Sequence, residues 1–242
     1  MSSSLFAPLV AAGLNLHAVF DVAALPVAVR AALGPVAPGM RLLLVGHGGR
    51  ALWSRVCAER SRGDLPAKHP IDAYSTREVG AWLAANFPGA RSVFLYPQPL
   101  DAPVAVGLQQ LGALAGWHHP APFRVGINAA WGSWFAYRAL VLTDAPLEPT
   151  PRVESASPCV SCTARPCVTA CPAGALAGDF DLARCVDYRL VAGSACAQTC
   201  RARLACPVAS EHRYDDAQLA HCYGESLHML RAWRAAEGTQ GK

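Results

Sequence analysis

Charge is scarce in this chain. Charged residues make up 16% of it against 52% hydrophobic, which excludes a disordered chain, because so much apolar surface is driven out of water and so little charge opposes collapse. The formal net charge is +4, and the arginines are scattered without a block of like sign. A basic patch for nucleic acid has no support, so nucleic acid is not an expected partner. Long apolar runs are lacking too. The stretch Leu5 to Val36 is interrupted by Asn15, His17, Asp21, Pro26 and Arg30, so it cannot supply the roughly twenty apolar residues that cross a bilayer. The start, Met1-Ser-Ser-Ser-Leu-Phe, lacks the basic residues of a secretory leader. A soluble cytoplasmic protein with no membrane partner is expected.

Cysteine, in contrast, is concentrated. Eight of the ten cysteines fall between Cys159 and Cys206, and Cys171 and Cys206 are each followed directly by proline. In bacterial two-cluster ferredoxins three closely spaced cysteines hold one [4Fe-4S] cube, and the cysteine before the proline crosses over to the other. That logic assigns Cys159, Cys162, Cys167 and Cys206 to one cluster. It assigns Cys171, Cys185, Cys196 and Cys200 to the second, and none is left over. Four residues separate Cys162 from Cys167 and five separate Cys200 from Cys206, longer gaps than usual, which outward-bulging loops accommodate. Two other readings stay open: a pair of four-cysteine zinc sites, and a disulfide framework suited to an oxidising compartment. Cys57 and Cys222 stand apart and read as small core residues.

Along the chain, helical spacing predicts helices over residues 4–20 and 26–33, the second ended by Gly34-Pro35. The run Arg41 to Val45 reads as a buried strand, followed by Gly46-His47-Gly48-Gly49. This glycine turn lacks the Lys-Ser/Thr of a P-loop and reads first as a tight turn, second as a weak phosphate cradle. Further helices are expected near 51–59, up to Phe87 with Ser75 and Glu78 as a capping box, and from Pro103 onward. Strands are expected over 92–96, 123–127 and 134–142. His118 and His119 are adjacent on a loop and point apart. Pro146 to Pro158 reads as a linker, and after Pro207 helical spacing returns through Leu219, Tyr223, Leu227, Leu230 and Trp233. The mixed order argues for an α+β layer rather than a parallel wind.

Two family resemblances attach to particular residues. Trp131-Gly132-Ser133-Trp134-Phe135-Ala136 resembles the Gly-Gly-Trp-Phe-Ala loop of cobalamin-processing chaperones of the CblC type, and His69-Pro70-Ile71-Asp72 is similar to their Asp-Pro-Val-Asp helix start. The same loop, continued by Thr143-Asp144-Ala-Pro-Leu147, resembles epoxyqueuosine reductases. Cys171-Pro-Ala-Gly-Ala-Leu176 and Ala183-Arg184-Cys185-Val186-Asp187-Tyr188 are similar to segments of their double [4Fe-4S] module. The resemblance implies a nitroreductase- or flavin-reductase-like α+β domain binding cobalamin over residues 1–148. It implies a ferredoxin-like module with two [4Fe-4S] clusters over 149–212, then C-terminal helices and a tail over 213–242.

The implied activity is that of an iron-sulfur corrinoid reductase. Electrons from an upstream donor, such as a flavodoxin or ferredoxin, would pass through the clusters to a base-off cobalamin, for removal of an upper ligand or reduction of a small-molecule substrate. The cobalamin would sit over Gly132, Ser133 and Trp134, with Trp131 and Trp134 as apolar contacts. No catalytic acid is assigned. The chain is shorter than the epoxyqueuosine reductases, so queuosine chemistry is the less expected activity. An electron carrier without cobalamin and a flavin-dependent reductase remain as alternatives.

Overall fold

A computed structural model describes residues 5–97 and 106–240, and the chain divides into two compact units. One comprises residues 1–117 and 135–154; the other comprises 118–134 and 155–242.

The first unit runs α1 (Ala7–Ala11), β1 (Leu16–Asp21), a 3-10 turn Val22–Ala24, α2 (Val27–Leu33), β2 (Arg41–Gly48), α3 (Ala51–Arg62), α4 (Pro70–Asn86), β3 (Ser92–Tyr96), α5 (Leu108–Leu114) and β4 (Phe135–Thr143). The strands form one antiparallel sheet in the order β1-β2-β4-β3. It is a mixed α/β unit with a small antiparallel sheet, as the mixed order of elements predicts. Leu42, Leu43, Leu44 and Val45 are all 0% exposed, so both faces of the central strand β2 are covered. Leu42 and Leu44 join Val29 and Leu33 of α2, Leu111 of α5, and Trp117 in one cluster. Leu43 and Val45 alternate to the other face. There α4 packs against β4 and carries α1 and α3.

Three local expectations are corrected. The helix expected over residues 4–20 is only α1, and its second half is strand β1, paired from Leu16 opposite Gly46 to Asp21 opposite Arg41. Gly13 breaks the helix with φ of +85°, where a Cβ would stand 2.5 Å from the Leu52 backbone nitrogen. An open edge on β2 then outbids a weak helical period, since the Leu16–Asp21 backbone gains ladder partners and buries Ala18 and Val19. The capping box is not made. Helix α4 begins at Pro70, with Asp72 in its first turn, and Ser75 lies inside it, its hydroxyl donating to the Ile71 carbonyl oxygen at 2.7 Å. The expected strand over 123–127 is only an isolated bridge, His119 with Ile127.

The glycine turn is also different. Gly46, His47 and Gly48 continue β2, with a bulge between Val45 and Gly46 where a Cβ on Gly46 would lie 2.8 Å from the Ala136 carbonyl oxygen. Asn15 occupies both backbone groups of Gly48: its Oδ1 accepts from the Gly48 N–H at 2.7 Å, and its Nδ2 donates to the Gly48 carbonyl at 3.1 Å. No phosphate cradle forms there. Pro103, the expected helix start, lies outside the described residues; the helix is seen from Leu108.

The second unit has short helices α6 (Pro166–Thr169), α7 (Leu182–Leu190) and α8 (Arg201–Ala205), a 3-10 turn Ser210–His212, and the long α9 (Asp216–Gln240). Helix α6 packs on α8 and α7 on α9. Its core is small, built from Phe123, Ile127, Leu176 and Ala202 together with buried Cys167 and Cys206. A second nucleus joins Trp134, Tyr214 and Leu219. Among the described residues no helix is long and apolar enough to cross a membrane.

Candidate metal and cofactor site

The cysteine-bearing chain makes the same turn twice. Gly174 and Gly193 take positive φ angles of +62° and +74°. At equal intervals after them Asp181 and Cys200 become N-caps: Asp181 accepts from the Arg184 N–H at 3.0 Å, and the Cys200 sulfur accepts from the Arg203 N–H at 3.5 Å. A thiol thus takes the place of a carboxylate as helix cap. The two turns present Cys185 on α7 and Cys200 at the start of α8.

The structure sorts the eight clustered thiols by proximity. Burial pushes the Cys167 thiol up, and its neighbours Cys206, Cys159 and Cys162 push it further. Cys159 is raised by burial, then by Cys206 and Cys162. In the other set, burial raises Cys185, with Cys200, Cys171 and Cys196 adding and Arg189 opposing; Cys200 is raised by burial and by Cys196. Cys171, Cys185, Cys196 and Cys200 all line one cavity of about 350 Å³, which Arg189, Arg203 and Cys222 also border. Cys57 belongs to the first unit.

Thiols that keep each other in the neutral form become thiolates when a cationic centre stands among them, so this donor set fits a metal centre. None of the ten cysteines is joined in a disulfide, so the disulfide alternative is not met. Among the described residues no three His, Cys, Asp or Glu side chains are arranged to hold a single metal ion. A lone zinc draws four donors to about 2.3 Å of one point, a tighter gathering than a four-iron cube asks of its thiolates.

The loop Trp131–Trp134 lies in the same unit as these cysteines. Its turn is closed by the Asn128 N–H donating to the Gly132 carbonyl at 3.0 Å and by Asn128 Oδ1 accepting from the Trp131 N–H at 2.7 Å. Ser133 and Trp134 have no exposed surface. Arg203 reaches the loop from α8, donating from Nε to Ser133 Oγ at 3.2 Å and from Nη2 to the Ser133 carbonyl oxygen. Its guanidinium lies 4.4 Å from the Trp134 ring centroid and 5.1 Å from that of Tyr214. Trp134 Nε1 is buried without a hydrogen-bond partner among the described residues. Trp131 is half-buried, with its ring 4.4 Å from His212. Nothing in the sequence marks Arg203; only its burial singles it out.

No protein-family model and no curated protein matches the sequence. Solved structures do. The chain is similar to epoxyqueuosine reductase from Bacillus subtilis, at 15% identity over 89% of this chain and 67% of that one, with a TM-score of 0.51. It is similar to an epoxyqueuosine reductase bound to a tRNA-Tyr epoxyqueuosine-modified stem loop, at 15% identity over 90% of this chain and 68% of that one, TM-score 0.52. It is also similar to the Caenorhabditis elegans B12-trafficking protein CblC, at 14% identity over 96% of each chain, TM-score 0.50. The likeness is one of fold. Both kinds of protein named by the sequence resemblance are therefore structural neighbours. The expectation that nucleic acid is no partner is not borne out, since one neighbour is held with a tRNA stem loop.

Proposed function

We propose that this protein is an iron-sulfur corrinoid reductase, with Cys159, Cys162, Cys167 and Cys206 holding one [4Fe-4S] cluster and Cys171, Cys185, Cys196 and Cys200 the second. The observation that carries the reading is the sorting of eight thiols into two sets of four, one of which lines a single cavity. The fold shared with a cobalamin-trafficking protein and with epoxyqueuosine reductases supports a base-off cobalamin as electron acceptor. When bound, the clusters supply one-electron transfer at low potential and the cobalamin a cobalt that reduces more readily once its lower base is gone.

This chain's residues would act as follows. The thiolates hold the clusters, and burial of Cys167, Cys196 and Cys206 excludes water from them. Ser133 and Trp134, sealed inside the unit, brace the loop through Arg203. The half-exposed Trp131 is the loop side chain left to meet a corrin face. An upstream one-electron donor, a flavodoxin or a ferredoxin, would supply the electrons.

An anaerobic titration of the iron-loaded protein with cob(II)alamin tests the reading. A saturable blue shift of the visible spectrum, marking loss of the lower base, is expected; intact clusters with no shift would remove cobalamin from the account. The burial of Ser133 and Trp134 favours a second reading, an electron carrier without cobalamin, and that negative result would leave it standing. The flavin alternative loses its phosphate turn, because Gly48 is already satisfied by Asn15.

A further inference from the structure

Arg203 is a buried cation without a carboxylate. It is 7% exposed, and among the described residues no acidic side chain pairs with it. Its partners are the two oxygens of Ser133, the neutral Tyr223 side chain and the faces of Trp134 and Tyr214. These orient the guanidinium but do not neutralise it, and an unneutralised buried charge is costly. The missing counter-charge has to be close.

What lies close is the second thiol set. The Arg203 backbone N–H donates to the Cys200 sulfur, the Cys200 thiol acts on the guanidinium charge, and Arg203 lines the same cavity as Cys171, Cys185, Cys196 and Cys200. Arg189 borders that cavity from α7. It donates to the Cys196 carbonyl at 3.2 Å, to Ser226 Oγ at 3.1 Å and to the Tyr223 carbonyl at 3.3 Å, again with no acidic partner among the described residues. Beside the first set Arg165 acts on the Cys159 thiol, and it is exposed, so water and salt screen its charge.

We infer that Arg203 and Arg189 hold the cluster of the second set at a higher reduction potential than that of the first, so that the first electron to enter the protein comes to rest there. The inference rests on the cluster reading above. One electron taken from a low-potential donor converts a cube with four thiolates from a net charge of two minus to three minus. Buried cations favour the more negative state, and the potential rises with them. Burial by itself opposes reduction, but it is common to both sets through Cys167, Cys206 and Cys196, so it does not order them. The two arginines do. Arg203 is a positioning residue whose charge acts through the cluster, and it ties that cluster to the loop Trp131–Trp134.

The test is an anaerobic titration of the reconstituted full chain with dithionite at controlled potential, following each cluster by electron paramagnetic resonance. Cys196→Ser, which changes one ligand of the second set, identifies that cluster's signal. In Arg203→Gln the potential of the second cluster is expected to fall so that its oxidised-to-reduced ratio at fixed potential rises tenfold or more, about 59 mV for one electron. The other cluster should stay within threefold. Arg203→Lys, which keeps the charge and loses the planar fork, should restore most of the difference. Arg189→Gln should lower the same potential, and it carries the test if Arg203→Gln does not retain full iron. Unchanged potentials in the glutamine variants, an equal fall in both clusters, or a lysine variant as low as the glutamine one would each overturn the inference. A wild-type protein that takes up no iron and sulfide would instead overturn the cluster reading itself, and this inference with it.

Discussion

A Cβ placed on Gly132 would stand 2.3 Å from the carbonyl oxygen of Val208. Gly132 also holds φ of +58°, so two independent constraints require glycine at the centre of the loop. Gly132→Ala should lower the stability of the protein by more than about 1 kcal/mol, read as a fall in the urea midpoint. Gly80, inside α4, has open space where its Cβ would be. Gly80→Ala should leave the midpoint unchanged or raise it, and an equal fall in both variants would show that the loop is not constrained in this way.

The division of the thiols predicts an iron count. Cys171→Ser should lose about half of the bound iron and sulfide and abolish cobalamin reduction, while the cobalamin affinity stays at the wild-type value. Cys57→Ser should keep the full iron content. Full iron in the Cys171→Ser protein, by colorimetric analysis after anaerobic reconstitution, would contradict the assignment of Cys171 as a ligand.

Acid should weaken the first unit through His17. Its ring stacks on Phe6 at 4.5 Å, and its Nε2 lies 2.7 Å from the Leu14 carbonyl oxygen. Burial lowers its pKa from 6.5 to about 4, with the Leu14 contact opposing. The unfolded chain therefore binds a proton at higher pH than the folded one. The stabilisation is complete above pH 6.5 and is lost as pH falls toward 4, by roughly 3 kcal/mol at most. His17→Gln should flatten that part of the stability profile in chemical denaturation between pH 7 and 4.5. A profile as steep as the wild-type one would place the titrating group elsewhere.

Trp131 is the loop side chain with surface to offer. Trp131→Ala should weaken cob(II)alamin binding about tenfold, and Trp131→Phe should recover most of it, since the contact is an apolar ring face. Both should retain iron and unfold near the wild-type midpoint. Affinity unchanged in Trp131→Ala would remove this residue from the cobalamin site.

Much of this protein could be read along the chain. Local chemistry carries the helix stop at Gly34 and strands β3 and β4, because positive-φ glycine and apolar runs act within a few residues. The cysteine spacing likewise proposes its own grouping. What neighbours in space impose could not be read in this way. Leu16–Asp21 became strand because β2 had an open edge to pair. Gly46–Gly48 stayed in the sheet because a bulge beside Ala136 and the side chain of Asn15 used the backbone that a phosphate would need. Ser75 was drawn into the middle of a helix that proline had already started. Above all, tertiary structure alone placed Arg203. An arginine three residues after a cysteine carries no signal in sequence, since whether its charge is solvated or buried against Ser133, Trp134 and Cys200 depends on chain segments far from it. The sequence by itself determined the helix stop at Gly34, strands β3 and β4 and the gathering of eight cysteines between Cys159 and Cys206; the fold decided which charge stands beside which thiol, because burial and electrostatics are properties of proximity in three dimensions.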